Sequence, residues 1–346
     1  MKVVVDDKIP YIREALEAMG VDSVYAPGAH IDAALVHDAD ALIIRTRTRC
    51  DANLLNGSRV QFIATATIGY DHIDTAYCAA HNIHWTNAPG CNAASVCQYV
   101  QSVLLLLQRE RGLTLSSSTI GIVGVGHVGT LVARMAATWG LRVLLCDPPR
   151  AQQGEEGFVS LSDIAREADI ITLHTPLTHD GPYRTWHLAD GDFFASLERK
   201  PYFINTSRGE TTNTAALLQA LDEQQIAQCI IDVWEHEPDI DLTLLDRCYL
   251  GTPHIAGYSA DGKATATRMS LEALARHFAL GAVPKIVPPA PTSPVTLDGD
   301  IEDALLQIYN PHNDSNALKA HPGDFEWLRG NYPHRREETA YGIHRG

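Results

Sequence analysis

Residues 120–147 read IGIVGVGHVGTLVARMAATWGLRVLLCD. The apolar run Ile120, Ile122, Val123 leads into Gly124-Val125-Gly126-His127-Val128-Gly129, the spacing G-x-G-x-x-G. Val128, Leu131, Val132, Met135 and Trp139 then recur at the spacing of one helix face. A second strand over 142–146 closes on Asp147. Each residue type answers a physical demand. Gly124 permits a tight turn, Gly126 lets the backbone approach a pyrophosphate, and Gly129 lets helix and strand pack closely. The N–H groups at the helix start, around His127 and Val128, and the positive end of the helix dipole face the phosphates. Asp147, about 20 residues further on, is placed to accept hydrogen bonds from an adenosine ribose. With a strand before, a helix after and an acid at the second strand end, this is a dinucleotide site rather than a glycine-rich turn. The carboxylate favours NAD by repelling a 2′-phosphate, while Arg150 nearby leaves NADP open.

The 346 residues allow two or three domains. Net charge is −15, from 27 basic and 42 acidic residues, which disfavours nucleic acid and anionic membranes as partners. An anionic substrate therefore needs a local basic pocket. The seven cysteines are odd in number and include no C-x-x-C pair, the pattern of reduced thiols in a cytosol. The start, MKVVVDDKIPY, carries acids where a signal peptide needs an apolar core, and no apolar run approaches a membrane span. A cytoplasmic chain is expected.

Residues 1–92 alternate short strands (2–5, 41–44, 61–65) with helical stretches and carry no glycine fingerprint of their own. They predict a smaller α/β substrate domain beside a doubly wound nucleotide domain over 93–255. Polar clusters at two of its strand ends, Arg45-Thr46-Arg47-Thr48-Arg49 and the stretch from Thr65 to Asp71, are substrate-site candidates, because ligands collect outside the carboxyl ends of strands. A helix over 271–280 would return the chain, within 256–284, to the first domain. The proline-rich stretch 283–294 reads as a linker. Residues 285–346 would form a small third unit, with a helix near 301–309 and a polar end.

Four strands of the nucleotide domain end in chemically capable groups: Thr175 after 169–174, Arg208 after 202–205, Glu237 after 228–233 and His254 after 249–252. Moving hydride from a hydroxyl carbon needs a base, a group that tunes it, and a cation for carboxylate and carbonyl. Histidine supplies a base near neutral pH. A neighbouring carboxylate stabilises its imidazolium, and arginine gives a planar fork. Arg208, Glu237 and His254 can supply this catalytic set. Any one of the sixteen histidines is by itself more often surface or core than catalytic; His254 stands out only through its neighbours. His174 and Trp186 have no assignable role. No H-E-x-x-H pattern, paired cysteine set or G-x-S-x-G elbow is present, so neither a metal site nor serine hydrolysis is expected.

The segments GIVGVGHVGT, HTPL, NTSRGE, DVWEHEP and GTPHIAGY, spread over residues 40–280, resemble the D-isomer-specific 2-hydroxyacid dehydrogenases. The resemblance implies a Rossmann-type NAD-binding domain, a smaller flavodoxin-like substrate domain and a small C-terminal α+β dimerisation domain, here shortened. Arg208 then resembles the substrate-orienting arginine, Glu237 the acid partnering the histidine, and His254 the proton acceptor and donor. Asp147, Thr175, Asp232 and Gly257 match cofactor-contacting positions. Thr46, Thr67 and Tyr258 match substrate-contacting ones; relatives often carry serine at the first. TATIGYDHID, NAPGCNA, HTPLTHDGPYRTWHLAD and TPHIAGYSADGKA point further, to a homodimeric member acting on a small phosphorylated 2-hydroxy acid. Arg45 is the cation expected to meet the phosphate, with Arg335 or Arg336 reaching in from a partner subunit. Two alternatives stand beside this reading: a glycerate-, phosphoglycerate- or lactate-type dehydrogenase of the same family, and a non-catalytic NAD sensor that shares the fold.

Overall fold

The computed structural model describes residues 1–291, 295 and 300–343. The chain divides into two units, Met1–Asn92 with Ser259–Pro291, and Ala93–Tyr258 with the described part of the C-terminal stretch. Among the described residues no helix is long and apolar enough to cross a membrane.

The first unit holds a five-stranded parallel sheet of β1 (Lys2–Asp6), β2 (Asp22–Ala26), β3 (Ala41–Ile44), β4 (Phe62–Thr65) and β5 (His84–Thr86), in the order β2-β1-β3-β4-β5. This is the flavodoxin-like 2-1-3-4-5 order. The central strands are apolar throughout because both faces are covered. Val4, Leu42, Ile44 and Ile63 pack with Val36, Cys50 and Leu54 on one face. Val3, Val5, Ile43 and Phe62 pack with Ile12, Leu16, Leu271 and Leu274 on the other. Edge strand β2 is partly exposed and β5 has only three residues. Neither presents an apolar run, which is why the sequence does not announce them. The helix expected from residue 271 starts at Ala260, capped by Ser259, and ends at His277. Its first half buries Ala260, Gly262, Ala264 and Ala266, residues too small to print a helical stripe on the sequence.

The second unit holds β6 (Thr119–Val123), β7 (Arg142–Cys146), β8 (Ile170–Leu173), β9 (Tyr202–Asn205), β10 (Gln228–Ile231) and β11 (Leu250–Gly251), all parallel, in the order β11-β10-β9-β8-β6-β7. Phe158 bridges Leu145 beyond β7, and Val159 N–H donates to the Leu145 carbonyl at 2.8 Å. That residue stands as a vestigial third strand and completes the Rossmann order 3-2-1-4-5-6, with β11 as a seventh strand beyond β10. The helix Ala93–Arg111 lays Val96, Val100, Val103, Leu104 and Leu107 into the core with Ile120, Ile122 and Val132. Each such fully buried aliphatic side chain contributes about 1.5–3 kcal/mol.

The C-terminal stretch departs from the expected α+β unit. It carries the helices Ile301–Ile308, Pro311–Ala320 and Phe325–Gly330, with no strand among the described residues. Leu305, Leu306 and Tyr309 join the core of Val103 and Leu104, while Leu318 and Phe325 join that of Phe203 and Leu245. So few large apolar residues cannot close a core alone. They are buried by completing the nucleotide-binding unit instead.

Candidate active site

The glycine loop meets the three demands read from its sequence. Gly124 has φ +88°, and a Cβ there would sit 2.7 Å from the His174 carbonyl carbon and 2.9 Å from Thr175 N. A Cβ on Gly129 would lie 2.1 Å from the Gly124 oxygen, so no side chain fits between helix and turn. Gly126 has nothing within 4 Å of its missing Cβ, the open approach a pyrophosphate requires. His127 opens the helix His127–Thr138 with Gly126 as N-cap. The N–H groups of this first turn, including that of Val128, have no partner within the helix. Beside the loop, the Thr175 hydroxyl is buried with no hydrogen-bond partner among the described residues. Such an orphaned group costs free energy unless a ligand satisfies it. The cradle and the orphaned hydroxyl both fit NAD.

Asp147 follows β7 and caps the helix Pro148–Gln152. Its carboxylate accepts from Val125 N at 2.8 Å and from Arg150 N at 3.2 Å. Arg150, which left NADP open on sequence grounds, pairs with Glu155 and also donates to the Val125 carbonyl. Its charge is already matched, so the acid decides and the site favours NAD.

Arg208, Glu237 and His254 come together: with Gly209, Glu210, Trp234 and His236 they line one open cleft of ≈ 240 Å³. Asn205, fully buried at the end of β9, organises the loop. Its amide donates to the Arg208 carbonyl at 3.0 Å and to the Thr211 and Thr212 hydroxyls at 3.1 Å, while its Oδ1 accepts from Ser207 N. A Cβ on Gly209 would stand 2.0 Å from the Trp234 carbonyl, so glycine alone lets this loop pass against the chain that carries Glu237. Arg208 itself donates to the Ser207 carbonyl at 2.7 Å.

Glu237 accepts from Trp234 N at 2.9 Å through Oε1, and its Oε2 meets His254 Nδ1 at 2.8 Å. A carboxylate only accepts, so Nδ1 carries the hydrogen and Nε2 is left to take a proton. Burial pushes the Glu237 carboxyl up, but the hydrogen bond and charge of His254, the Trp234 N–H and the Arg329 cation outweigh it and hold the group below its ordinary value. His254 sits at φ +56°, a left-handed conformation costly for a residue with a side chain. Asp232 holds it there. Its buried carboxylate accepts from Ile255 N at 2.8 Å, Ala256 N at 2.9 Å and the Thr252 hydroxyl at 2.6 Å. Trp234 Nε1 and Tyr99 Oη brace Thr252 from either side. Burial pushes the Asp232 carboxyl up despite these donors. Gly257 lies in the turn closed by Tyr258 N on the Ile255 carbonyl, 2.8 Å.

The remaining expected substrate contacts belong to the first unit. Arg45 follows β3 and pairs with the buried Asp6 at 3.1 Å. Thr46 is exposed beside it. Thr67 bonds the Thr65 hydroxyl at 2.7 Å and the Gly69 carbonyl at 2.9 Å. Arg335, expected to reach into a partner subunit, is 7% exposed within its own chain. It donates to the Ala256 carbonyl at 2.6 Å and stacks over Tyr309 at 4.2 Å. A side chain so enclosed has no reach to a neighbouring molecule. Arg329 was not foreseen at all. It comes from the helix Phe325–Gly330, donates to Tyr258 Oη at 3.0 Å and lies 3.9 Å from Glu237 Oε2. Its stretch reads as a polar end, and no local motif marks it.

The model of the D-isomer specific 2-hydroxyacid dehydrogenase NAD binding domain matches residues 98–256. An erythronate-4-phosphate dehydrogenase of Bacteroides thetaiotaomicron is 58% identical over 344 residues, 99% of each chain. One from Porphyromonas gingivalis is 42% identical, covering 99% of this chain and 95% of the relative. The chain belongs to the D-isomer specific 2-hydroxyacid dehydrogenases. Among solved structures, the D-lactate dehydrogenase of Aquifex aeolicus, complexed with NAD and lactic acid, shares the fold at a TM-score of 0.66. It is 22% identical, covering 81% of this chain and 96% of that one.

This 2-hydroxyacid dehydrogenase is therefore an NAD-dependent enzyme. One histidine nitrogen in its cleft is fixed by a carboxylate, and a guanidinium lines the same cleft.

Proposed function

We propose that the enzyme oxidises 4-phospho-D-erythronate at C2 to (R)-3-hydroxy-2-oxo-4-phosphooxybutanoate, a step in making pyridoxal 5′-phosphate (vitamin B6). The Glu237–His254 pair sharing one cleft with Arg208 is the observation that carries the chemistry. The name shared by the relatives supports the substrate. NAD, when bound, supplies the acceptor for the hydride leaving C2. His254 Nε2 takes the proton of the C2 hydroxyl. Glu237, on Nδ1, stabilises the imidazolium that forms. Arg208 offers its fork to the carboxylate and the developing ketone. Thr175, Asp232, Gly257 and Asp147 serve the cofactor, with the 124–129 loop on its pyrophosphate. Tyr258, Thr46 and Thr67 serve the substrate, and Arg45, oriented by Asp6, meets the phosphate. The protein works in the cytoplasm as a homodimer through its C-terminal segment.

The test is NADH formation with 4-phospho-D-erythronate beside D-3-phosphoglycerate, D-glycerate and D-lactate. A second arm adds a 2-oxo acid acceptor, so that tightly held NADH cannot mask turnover. Preference for the four-carbon phosphate, lost in His254→Ala, supports substrate and base together. Preference for another acid overturns the substrate and leaves the catalytic set standing. Silence in both arms with NAD bound overturns catalysis itself.

A further inference from the structure

Arg329 enters the neighbourhood of the Glu237–His254 pair from the C-terminal helical segment. Its helix, Phe325–Gly330, is seated by the fully buried Phe325. The guanidinium then makes two contacts with the site. Nε donates to Tyr258 Oη at 3.0 Å, and Nη1 lies 3.9 Å from Glu237 Oε2, the same oxygen that accepts from His254. Glu326, its other acidic neighbour, is 3.9 Å away and nearly half exposed, so water screens it. We propose that Arg329 is a positioning residue for catalysis: it sets the charge balance of the Glu237–His254 pair and fixes Tyr258 as an acceptor, whose own proton is then donated away from Arg329.

Among the described residues, the charged and titratable groups around the pair and Arg329 are Glu237 and His236 on one loop, Arg208 and Glu210 on another, the buried Asp232 beneath, Tyr258, and Arg329 and Glu326 from the C-terminal helix. Among the described residues, Arg329 is the cation within 4 Å of the Glu237 carboxylate besides His254 itself. It lowers the Glu237 carboxyl together with His254 and the Trp234 N–H, against the opposing effect of burial. A cation on the far side of Glu237 also weakens that carboxylate's hold on an imidazolium. Removing it strengthens that hold, and oxidation requires the neutral imidazole, so the pH dependence of turnover reports on Arg329.

The inference rests on the roles proposed for Glu237 and His254, and the experiment separates the two. The full-length enzyme is assayed for oxidation of its best 2-hydroxy acid across pH, as wild type, Arg329→Gln, Arg329→Lys and His254→Ala. Binding of NAD, read by quenching of tryptophan fluorescence, checks that each variant is folded. In Arg329→Gln the acid limb of kcat/KM should move to higher pH by roughly half a unit, with KM raised about 5-fold. Arg329→Lys should restore the limb, because the charge returns, and leave KM raised, because an ammonium lacks the fork that reaches Tyr258. An unmoved limb in Arg329→Gln overturns the inference, whether activity falls or not. Should Arg329→Gln fail to bind NAD, Arg329→Lys decides alone: wild-type KM overturns the role on Tyr258. Full activity in His254→Ala sinks the underlying reading instead.

Discussion

The two sheets are wound alike, and each reverses its strand order once, yet only one reversal is left open for a cofactor. In the second unit the switch lies between β6 and β8. There Gly126 opens onto empty space and the Thr175 hydroxyl is buried without a partner among the described residues. In the first unit the switch lies between β1 and β3. There Asp6 and Arg45 pair across it at 3.1 Å, Asp6 also accepts from Lys8 N, and a Cβ on Gly28 would strike Asp6 Oδ2 at 2.7 Å. One crevice leaves polar groups and space unspent; the other satisfies itself. Topology thus names the place where a ligand can bind. The local accounting of donors, acceptors and volume decides whether the place is a cofactor site.

The largest contrast should appear in catalysis. His254→Ala should lower kcat/KM by about 10³ while NAD affinity stays within about twofold, because a general base contributes to the transition state. Arg45→Ala, at the self-satisfied switch, should cost roughly tenfold, confined to KM for a phosphorylated acid. A loss in kcat for Arg45→Ala would break the contrast. Next come the two glycines. Gly126→Ala should leave the melting temperature alone and weaken NAD about 30-fold, since the methyl occupies only the volume the pyrophosphate needs. Gly28→Ala should do the reverse, lowering the melting temperature by several degrees through the displaced Asp6 carboxylate and leaving NAD affinity unchanged. Isothermal titration and thermal melts read both.

Those glycines also show what the sequence discloses. The 124–129 loop and the trio Arg208, Glu237, His254 were legible because each residue follows a strand, and strand ends in a parallel sheet converge on one edge. Spacing alone carried that. Arg329 and Arg335 were not legible in the same way. They act through tertiary placement of a segment whose helices bury only a few large residues, among them Leu305, Leu318 and Phe325, in cores built by other elements. Strands β2 and β5 escaped for a related reason: edge strands need no apolar run. The Asp232 carboxylate, matched from resemblance to a cofactor contact, also holds the backbone of Ile255 and Ala256. A short polar side chain beneath a strained residue leaves no periodic signal.

Smaller effects sharpen the comparison at the level of single hydroxyls. Thr175→Val should weaken NAD about 5-fold and leave the free protein as stable or slightly more so, because an unsatisfied hydroxyl is removed. Thr48→Val in the first unit removes a buried donor to the Gly28 carbonyl at 2.8 Å. It should destabilise by about 1–2 kcal/mol and leave NAD affinity intact. Equal effects of the two changes on stability would erase the distinction between an open and a closed switch.

The finest difference is in acid sensitivity. His174, just past β8, meets the Thr172 hydroxyl at 3.0 Å and the Thr206 hydroxyl at 3.3 Å, and burial pushes it down from 6.5 to about 3. His72 in the first unit is also lowered, by burial that the nearby Asp71 partly offsets. A histidine lowered on folding contributes its full stability above 6.5, and that contribution is lost as pH falls from 6.5 toward the folded value. The loss for His174 is at most about 1.4 kcal/mol for each pH unit. His174→Gln should therefore melt about 3 °C below wild type at pH 8, where two hydroxyl contacts are weakened. The gap should close by pH 5, where wild type bears the cost of an imidazole that must stay neutral. For His72→Gln the gap should close less over the same range, since Asp71 favours the charged ring. Parallel melting curves for wild type and His174→Gln from pH 8 to pH 5 would show that the ring gains water when it gains a proton, and that the floor of the cofactor switch is as open to solvent as its mouth.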